Sequence, residues 1–211
     1  MRNSFEKEMD KIRLLIFGVT GSPDIKERIA PLYTEERLAK GVDLYQTLKQ
    51  TATQQSIEMN ESKGATFDFN STKDELHDVF VKARKAIRFF YRNDLKTQES
   101  LFIDKVIPAN YPEWRALVGD TVGQINRTDG LPAKLAIFKV DTEDMGAKLS
   151  LLDEQSSKAE KEDGEAQQIT VKKTELFGEL RSYCYELREC LDLFYDGDDR
   201  QKLEEVGITV K

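Results

Sequence analysis

The sequence contains a single histidine, His77, and this scarcity excludes several kinds of site. A di-iron centre in a helical bundle needs a Glu-x-x-His motif on each of two helices, which one histidine cannot supply. A Ser-His-Asp triad would likewise depend on His77 as its only imidazole base. His77 follows Leu76 on a predicted amphipathic helix, and we interpret it as a surface side chain. We therefore predict no metal and no cofactor.

Cysteine is almost as scarce, with only Cys184 and Cys190 present. The two residues lie on different faces of one predicted helix, so we expect no disulfide between them. Both lie on or beside its apolar stripe, which favours their interpretation as small hydrophobic side chains in a cytoplasmic protein. Residues 196–207 lack the ligand spacing of a calcium loop, and residues 18–22 lack the lysine of a phosphate-binding loop. With no candidate catalytic residue, we do not expect an enzyme.

Positive charge is also in deficit, because 39 acidic residues outnumber 32 basic ones and the net charge is -7. Nucleic acids and anionic membranes both bind cationic surfaces, so neither is predicted as a partner. No apolar run approaches the roughly 20 residues of a membrane span. The apolar stretch 12–19 is interrupted by Arg13 and preceded by acidic residues, which is not the pattern of a signal peptide.

The sequence does contain an internal similarity in two blocks that recur in the same order. Chance similarity between amphipathic helices remains the alternative to duplication. We interpret residues 1–107 as a first helical repeat and 108–211 as a second, packed together as one bundle. The earlier block pairs Lys26, Ile29, Thr34, Glu35, Ala39, Lys40 and Leu44 with Lys134, Ile137, Thr142, Glu143, Ala147, Lys148 and Leu152. The later block pairs Glu75, Leu76, Arg84, Phe90, Tyr91 and Asp94 with Glu179, Leu180, Arg188, Phe194, Tyr195 and Asp198.

Each repeat predicts the same series of helices. An opening helix (5–19 or 114–126) leads to a short helix, and Thr34 or Thr142 then caps a long one. The middle of that pattern becomes polar, and Gly64 and Gly164 predict a turn before a second long helix. A short helix closes each repeat. The fold class predicted is therefore all-α, an antiparallel bundle of four long helices with short accessory helices.

Two oppositely charged rows occupy equivalent positions in the two repeats. Three interpretations stay open: the rows pair within one molecule, they join two molecules, or the basic row binds another anionic partner. The basic row is Lys82, Lys85, Arg88 and Arg92. The acidic row is Glu186, Glu189, Asp192 and Asp196. Aromatic residues near these helix ends, including Phe89 and Tyr185, are predicted to be core residues.

Three segments carry a resemblance to known sequences. They are TEERLAKG at 34–41, AQQIT at 166–170 and DRQKLEEVGI at 199–208. With them the chain resembles a family of uncharacterised bacterial all-α proteins. The resemblance implies an all-α fold and a bacterial origin, and it assigns no activity and no site residue.

These observations together predict a non-catalytic helical module that acts through interaction or structure. Its partner would be another protein or a second copy of the chain. The alternative is a helical bundle that binds a small molecule or an amphiphile.

Overall fold

The computed structural model describes residues 4–209, and their regular secondary structure is helical throughout, with no strand among them. The predicted all-α class is confirmed. The α-helices are α1 (Ser4–Gly21), α2 (Pro23–Ile29), α3 (Glu35–Phe90), α4 (Leu95–Ser100), α5 (Tyr111–Arg127), α6 (Leu131–Ala136) and α7 (Thr142–Phe194). A 3₁₀ helix, Gly197–Val206, follows α7.

The predicted bundle of four long helices is not confirmed, because the described residues form two long helices. Helix α3 has 56 residues and α7 has 53, and each continues through the position where a turn was predicted. The turns predicted at Gly64 and Gly164 are therefore wrong. Neither helix contains a proline, and a glycine inside a helix costs only about 1 kcal/mol relative to alanine. A single glycine is too weak a signal to end a helix whose flanking residues favour it.

The polar middle of both long helices is confirmed as poorly buried. No side chain is buried between Thr51 and Ala65 in α3, or between Leu152 and Ala166 in α7. These stretches thus remain helical with little help from a hydrophobic core, and backbone hydrogen bonds hold them.

The helix starts agree with the sequence in one case and differ in another. The Oγ1 of Thr34 accepts a hydrogen bond from the backbone N–H of Arg37, so Thr34 caps α3 as predicted. Thr142 was predicted to cap α7, but it lies inside the helix. The cap is Asp141, whose Oδ1 accepts hydrogen bonds from the N–H groups of Glu143 and Asp144 at 2.9 and 3.2 Å. Aspartate also complements the positive end of the helix dipole.

The chain divides into two compact units. The first unit combines Met1–Met59 with Glu165–Lys211, and the second is the continuous segment Asn60–Gly164. Residue 108, where the predicted second repeat begins, lies inside the second unit. The compact units therefore do not follow the predicted repeats, and the duplication stays a prediction.

In the first unit, α3 and α7 pack antiparallel. Arg37 near the start of α3 forms an ion pair with Glu186 at 2.7 Å, whereas Gln55 further along α3 donates to Thr170, which comes earlier in α7. Helices α1 and α2 and the 3₁₀ helix complete the core. Buried side chains of α1 recur at helical spacing: Met9, Ile12, Leu15, Ile16 and Val19.

The second unit has its own core, built from parts of the two long helices together with α5 and α6. Trp114, the only tryptophan of the chain, is 2% exposed in this core. Arg115 on α5 holds Asp153 on α7 through two hydrogen bonds of 2.9 and 2.6 Å. Within residues 4–209, no helix has the length and apolar character needed to cross a membrane.

A glycine of α3 lies directly against an aromatic ring of α7 in the first unit. A Cβ added at Gly41 would lie 2.3 Å from ring atoms of Tyr183. We predict that Gly41→Ala lowers the free energy of unfolding by about 1–3 kcal/mol, because the ring of Tyr183 must move. Urea unfolding followed by circular dichroism measures this change.

The control is Gly178→Ala in α7, where an added Cβ meets nothing within 4 Å. This variant should gain about 0.5–1 kcal/mol, since alanine is the better helix former. Equal effects of the two substitutions would contradict the packing described for Gly41.

Candidate interaction faces and groove

The basic row lies at the end of α3 in the second unit, and all four of its side chains are exposed. Arg88 Nη2 donates a hydrogen bond of 2.7 Å to the backbone oxygen of Ile103. Among the residues that the structure describes, Lys82, Lys85 and Arg92 make no ion pair within 4.0 Å. The row is therefore a strip of positive charge that the second unit does not itself neutralise.

A large aromatic side chain is exposed beside this row, although sequence reasoning assigned it to the core. Phe89 is 72% exposed, and its ring packs edge-on against that of Phe90, with 5.9 Å between the ring centroids. The ring of Phe90 in turn packs against that of Phe138, with 5.6 Å between the ring centroids. Contiguous exposed apolar patches rimmed by polar residues mark protein interaction sites.

The acidic row lies at the end of α7 in the first unit, and its side chains are exposed as well. Two of its members have partners in the same unit, since Glu186 pairs with Arg37 at 2.7 Å and Asp192 with Arg200 at 2.6 Å. Glu189 accepts a hydrogen bond from the hydroxyl of Tyr185, which raises the pKa of that phenol. The proposed pairing of one row with the other stays a prediction.

Tyr185 and Leu193 extend the acidic row with apolar surface, being 65% and 77% exposed. The prediction of a core position for Tyr185 is therefore wrong, whereas Tyr183 and Tyr195 are buried as predicted. Acidic residues near the end of α7 face the negative end of the helix dipole, which disfavours them.

An aspartate precedes each short closing helix, but only one of the two caps its helix with its side chain. Asp94 caps α4, because its carboxylate accepts a hydrogen bond of 3.1 Å from the N–H of Thr97. Asp196 is at the corresponding position before the 3₁₀ helix, but its side chain makes no capping hydrogen bond. The side chain of Asp198 lies outside what the structure describes.

A groove of about 900 Å³ runs between α1 and the end of α7 in the first unit. Charged side chains of both signs line it, and Arg181 bridges it by an ion pair of 2.9 Å with Glu8. Two members of the acidic row, Glu186 and Glu189, are among its walls. The groove therefore combines a charged lining with an open face, and sequence patterns gave no sign of it.

The prediction for His77 requires a correction. His77 is half-buried, and its Nδ1 accepts a hydrogen bond of 3.1 Å from the indole N–H of Trp114. It thus satisfies the one polar atom of a buried tryptophan side chain, which is a structural role.

The sequence identifies Arg84 only as a matched position of the internal similarity. In the structure it lies beside the basic row and is buried, being 5% exposed. It donates to the backbone oxygens of Ile103 (2.5 Å) and Lys105, and so fastens the loop after α4. Burial and the neighbouring Arg88 lower its pKa. Its two remaining guanidinium nitrogens have no hydrogen-bond partner among the described residues.

Comparisons with known proteins identify no relative: no protein-family model, no curated protein and no solved structure matches the chain. The resemblance to bacterial all-α proteins noted above stays a prediction.

Cys184 borders the groove yet is 5% exposed, and burial raises the pKa of its thiol from 9.0 to about 11. Between these two pKa values the thiol stays protonated in the folded protein but loses its proton in the unfolded chain. We therefore predict that stability falls as the pH rises from 9.0 towards about 11. Urea unfolding at several pH values in this window measures the slope.

In Cys184→Ala the decline over this pH window should be shallower, because one titrating group is absent. Tyr33, whose pKa burial raises to about 12, contributes a second decline at higher pH in both proteins. An identical slope for the two proteins below pH 10 would contradict the role of Cys184.

Proposed function

We propose that this chain is a non-catalytic helical interaction module, and that the basic row of α3 with Phe89 binds an acidic, amphipathic helix of a protein partner. The observation that carries the proposal is the exposed strip of cations around an exposed phenylalanine, in a chain whose net charge is -7.

The two kinds of side chain would contribute in different ways. Burying the ring of Phe89 in an interface is worth about 1.5–3 kcal/mol. Exposed ion pairs are each worth roughly 0–1 kcal/mol, so the cations add mainly specificity and speed of association. A partner that offers carboxylates around an apolar side chain complements both features.

The proposal predicts binding of a fluorescein-labelled amphipathic peptide with glutamates on either side of a leucine stripe. Fluorescence anisotropy should detect binding that weakens as salt is raised, because salt screens exposed charges. Phe89→Ala should weaken binding about tenfold, which corresponds to about 1.4 kcal/mol. A peptide with lysines in place of the glutamates should not bind.

Two matched variants control for fold and for general charge. Leu95→Ala removes a side chain of the same unit that is 70% exposed but lies outside the row, and it should bind as the wild type does. Lys63→Glu changes charge elsewhere on α3 and should have little effect, whereas Lys85→Glu should weaken binding. Binding that is insensitive to both Phe89→Ala and Lys85→Glu would refute the proposed surface.

The groove of the first unit favours a second candidate function, the binding of a small polar or amphiphilic molecule. Native mass spectrometry of the purified protein should then show an added mass. Ser182→Trp, which fills the groove, should abolish it, whereas Ser157→Trp on an exposed part of α7 should not. Failure to detect any added mass in the wild type would count against this candidate.

A further inference from the structure

We infer that the partner of the basic row is a second copy of this chain, which presents the acidic row at the end of its α7. This inference rests on the proposed function and names the partner of the same surface. It is supported by three features that the two rows share, which are their spacing, their position relative to a helix end, and their exposed apolar centre.

The two rows have the same residue spacing and the same position relative to the end of their helix. Helix α3 ends at Phe90 and α7 at Phe194, and the last charged residue of each row, Arg92 or Asp196, follows two positions later. The helical part of each row, 82–88 or 186–192, extends about 9 Å, given a rise of 1.5 Å per residue. Two helical strips of equal length and opposite charge thus precede the two helix ends, whereas Arg92 lies in a turn and Asp196 in extended backbone.

The apolar centres also occupy equivalent positions. Phe89 is 72% exposed and Leu193 is 77% exposed, and each lies between the last charged residues of its row. Contact between them would remove two large side chains from water. The equivalent positions pair Lys82 with Glu186, Lys85 with Glu189, Arg88 with Asp192, Phe89 with Leu193, and Arg92 with Asp196.

These positions select a parallel alignment of α3 from one copy with α7 from another. In that alignment Phe89 meets Leu193, and every cation meets an anion. An antiparallel alignment would instead place Phe89 against Glu189 and Leu193 against Lys85, which buries charge against apolar surface. The parallel arrangement is therefore the one in which charge and apolar surface match together.

The acidic row can accept such a partner although two of its members are already paired. The ion pairs of Glu186 with Arg37 and of Asp192 with Arg200 are both exposed, so an incoming cation can join or replace them. Cations at this end of α7 also complement its helix dipole, which the acidic residues oppose. Glu189 and Asp196 have no ion pair within 4.0 Å among the described residues.

Each copy carries both rows, so two copies can exchange them reciprocally about a two-fold axis, or each copy can use its rows towards two different neighbours in heterologous contacts. Such contacts either close into a ring or continue into a longer assembly. In both cases the association depends on protein concentration and on salt.

The test uses two double variants of the full chain that reverse matched pairs and leave the residues that form ion pairs in their own unit unchanged. Lys85→Glu/Arg92→Glu reverses two of the four charges of the basic row, and Glu189→Lys/Asp196→Lys reverses the two matching charges of the acidic row. Light scattering coupled to size exclusion should show that the wild type associates at about 50 mM salt and dissociates at about 500 mM. Each variant alone should associate at least about tenfold more weakly.

An equimolar mixture of the two variants should associate again, because each reversed row then meets a complementary row on the other molecule. Circular dichroism and thermal unfolding of each variant must match the wild type, which excludes loss of fold as the cause. Phe89→Ala and Leu193→Ala should each weaken association of the wild type, whereas Leu95→Ala should not.

Three outcomes would overturn the inference: a wild type that stays monomeric at low salt, association that neither reversal weakens, or a mixture that fails to recover it. If the wild type stays monomeric but still binds the acidic peptide through Phe89, only the second-copy inference fails. If the peptide does not bind and the mixture does not recover association, the proposed function fails as well.

Discussion

The structure depends on the continuity of α3 and α7. The first part of each helix belongs to the core of one unit, and its last part belongs to the core of the other. A break in either helix would therefore interrupt an element that both cores use. Continuity costs little, because no proline interrupts either helix and single glycines are tolerated. The middle stretches, where no side chain is buried between Thr51 and Ala65, are held by backbone hydrogen bonds instead of packing. The hydrophobic side chains are accordingly concentrated towards the helix ends, where the short helices cover them.

The sequence predicts the local features of this fold well and its connectivity less well. Apolar residues at helical spacing identify α1, α5 and the ends of the long helices, and Thr34 is recognisable as a cap. A glycine in a polar stretch, by contrast, has the same local pattern in a turn as in an exposed helix. The choice at Gly64 depends on small differences in free energy that no local pattern records. The cap at Asp141 was missed for a similar reason, since Asp141 and Thr142 are adjacent and both residue types cap helices.

The candidate surfaces could likewise be predicted from the sequence only in part. Spacing of three and four residues was enough to find the basic and acidic rows, and all their side chains are exposed, although Arg92 and Asp196 lie just beyond the helix ends. The exposure of Phe89 and Tyr185 could not be predicted, because an aromatic residue next to a core stripe is buried or exposed according to what packs beside it. The partnership of His77 with Trp114, and of Arg84 with the loop after α4, joins residues distant in sequence. Such contacts follow from tertiary packing alone.

The division of the chain between the two units has a consequence for biosynthesis. Asn60–Gly164 is contiguous, so the nascent chain carries everything this unit needs before the remainder of α7 has been translated. The other unit needs residues from both sides of that segment, and its long-range contacts form only after the intervening chain has been made. We therefore expect that α1 emerges from the ribosome long before the end of α7 and the 3₁₀ helix, and that the part of its apolar face that they cover stays exposed meanwhile. A chaperone that binds short apolar helices would have its main opportunity in that interval.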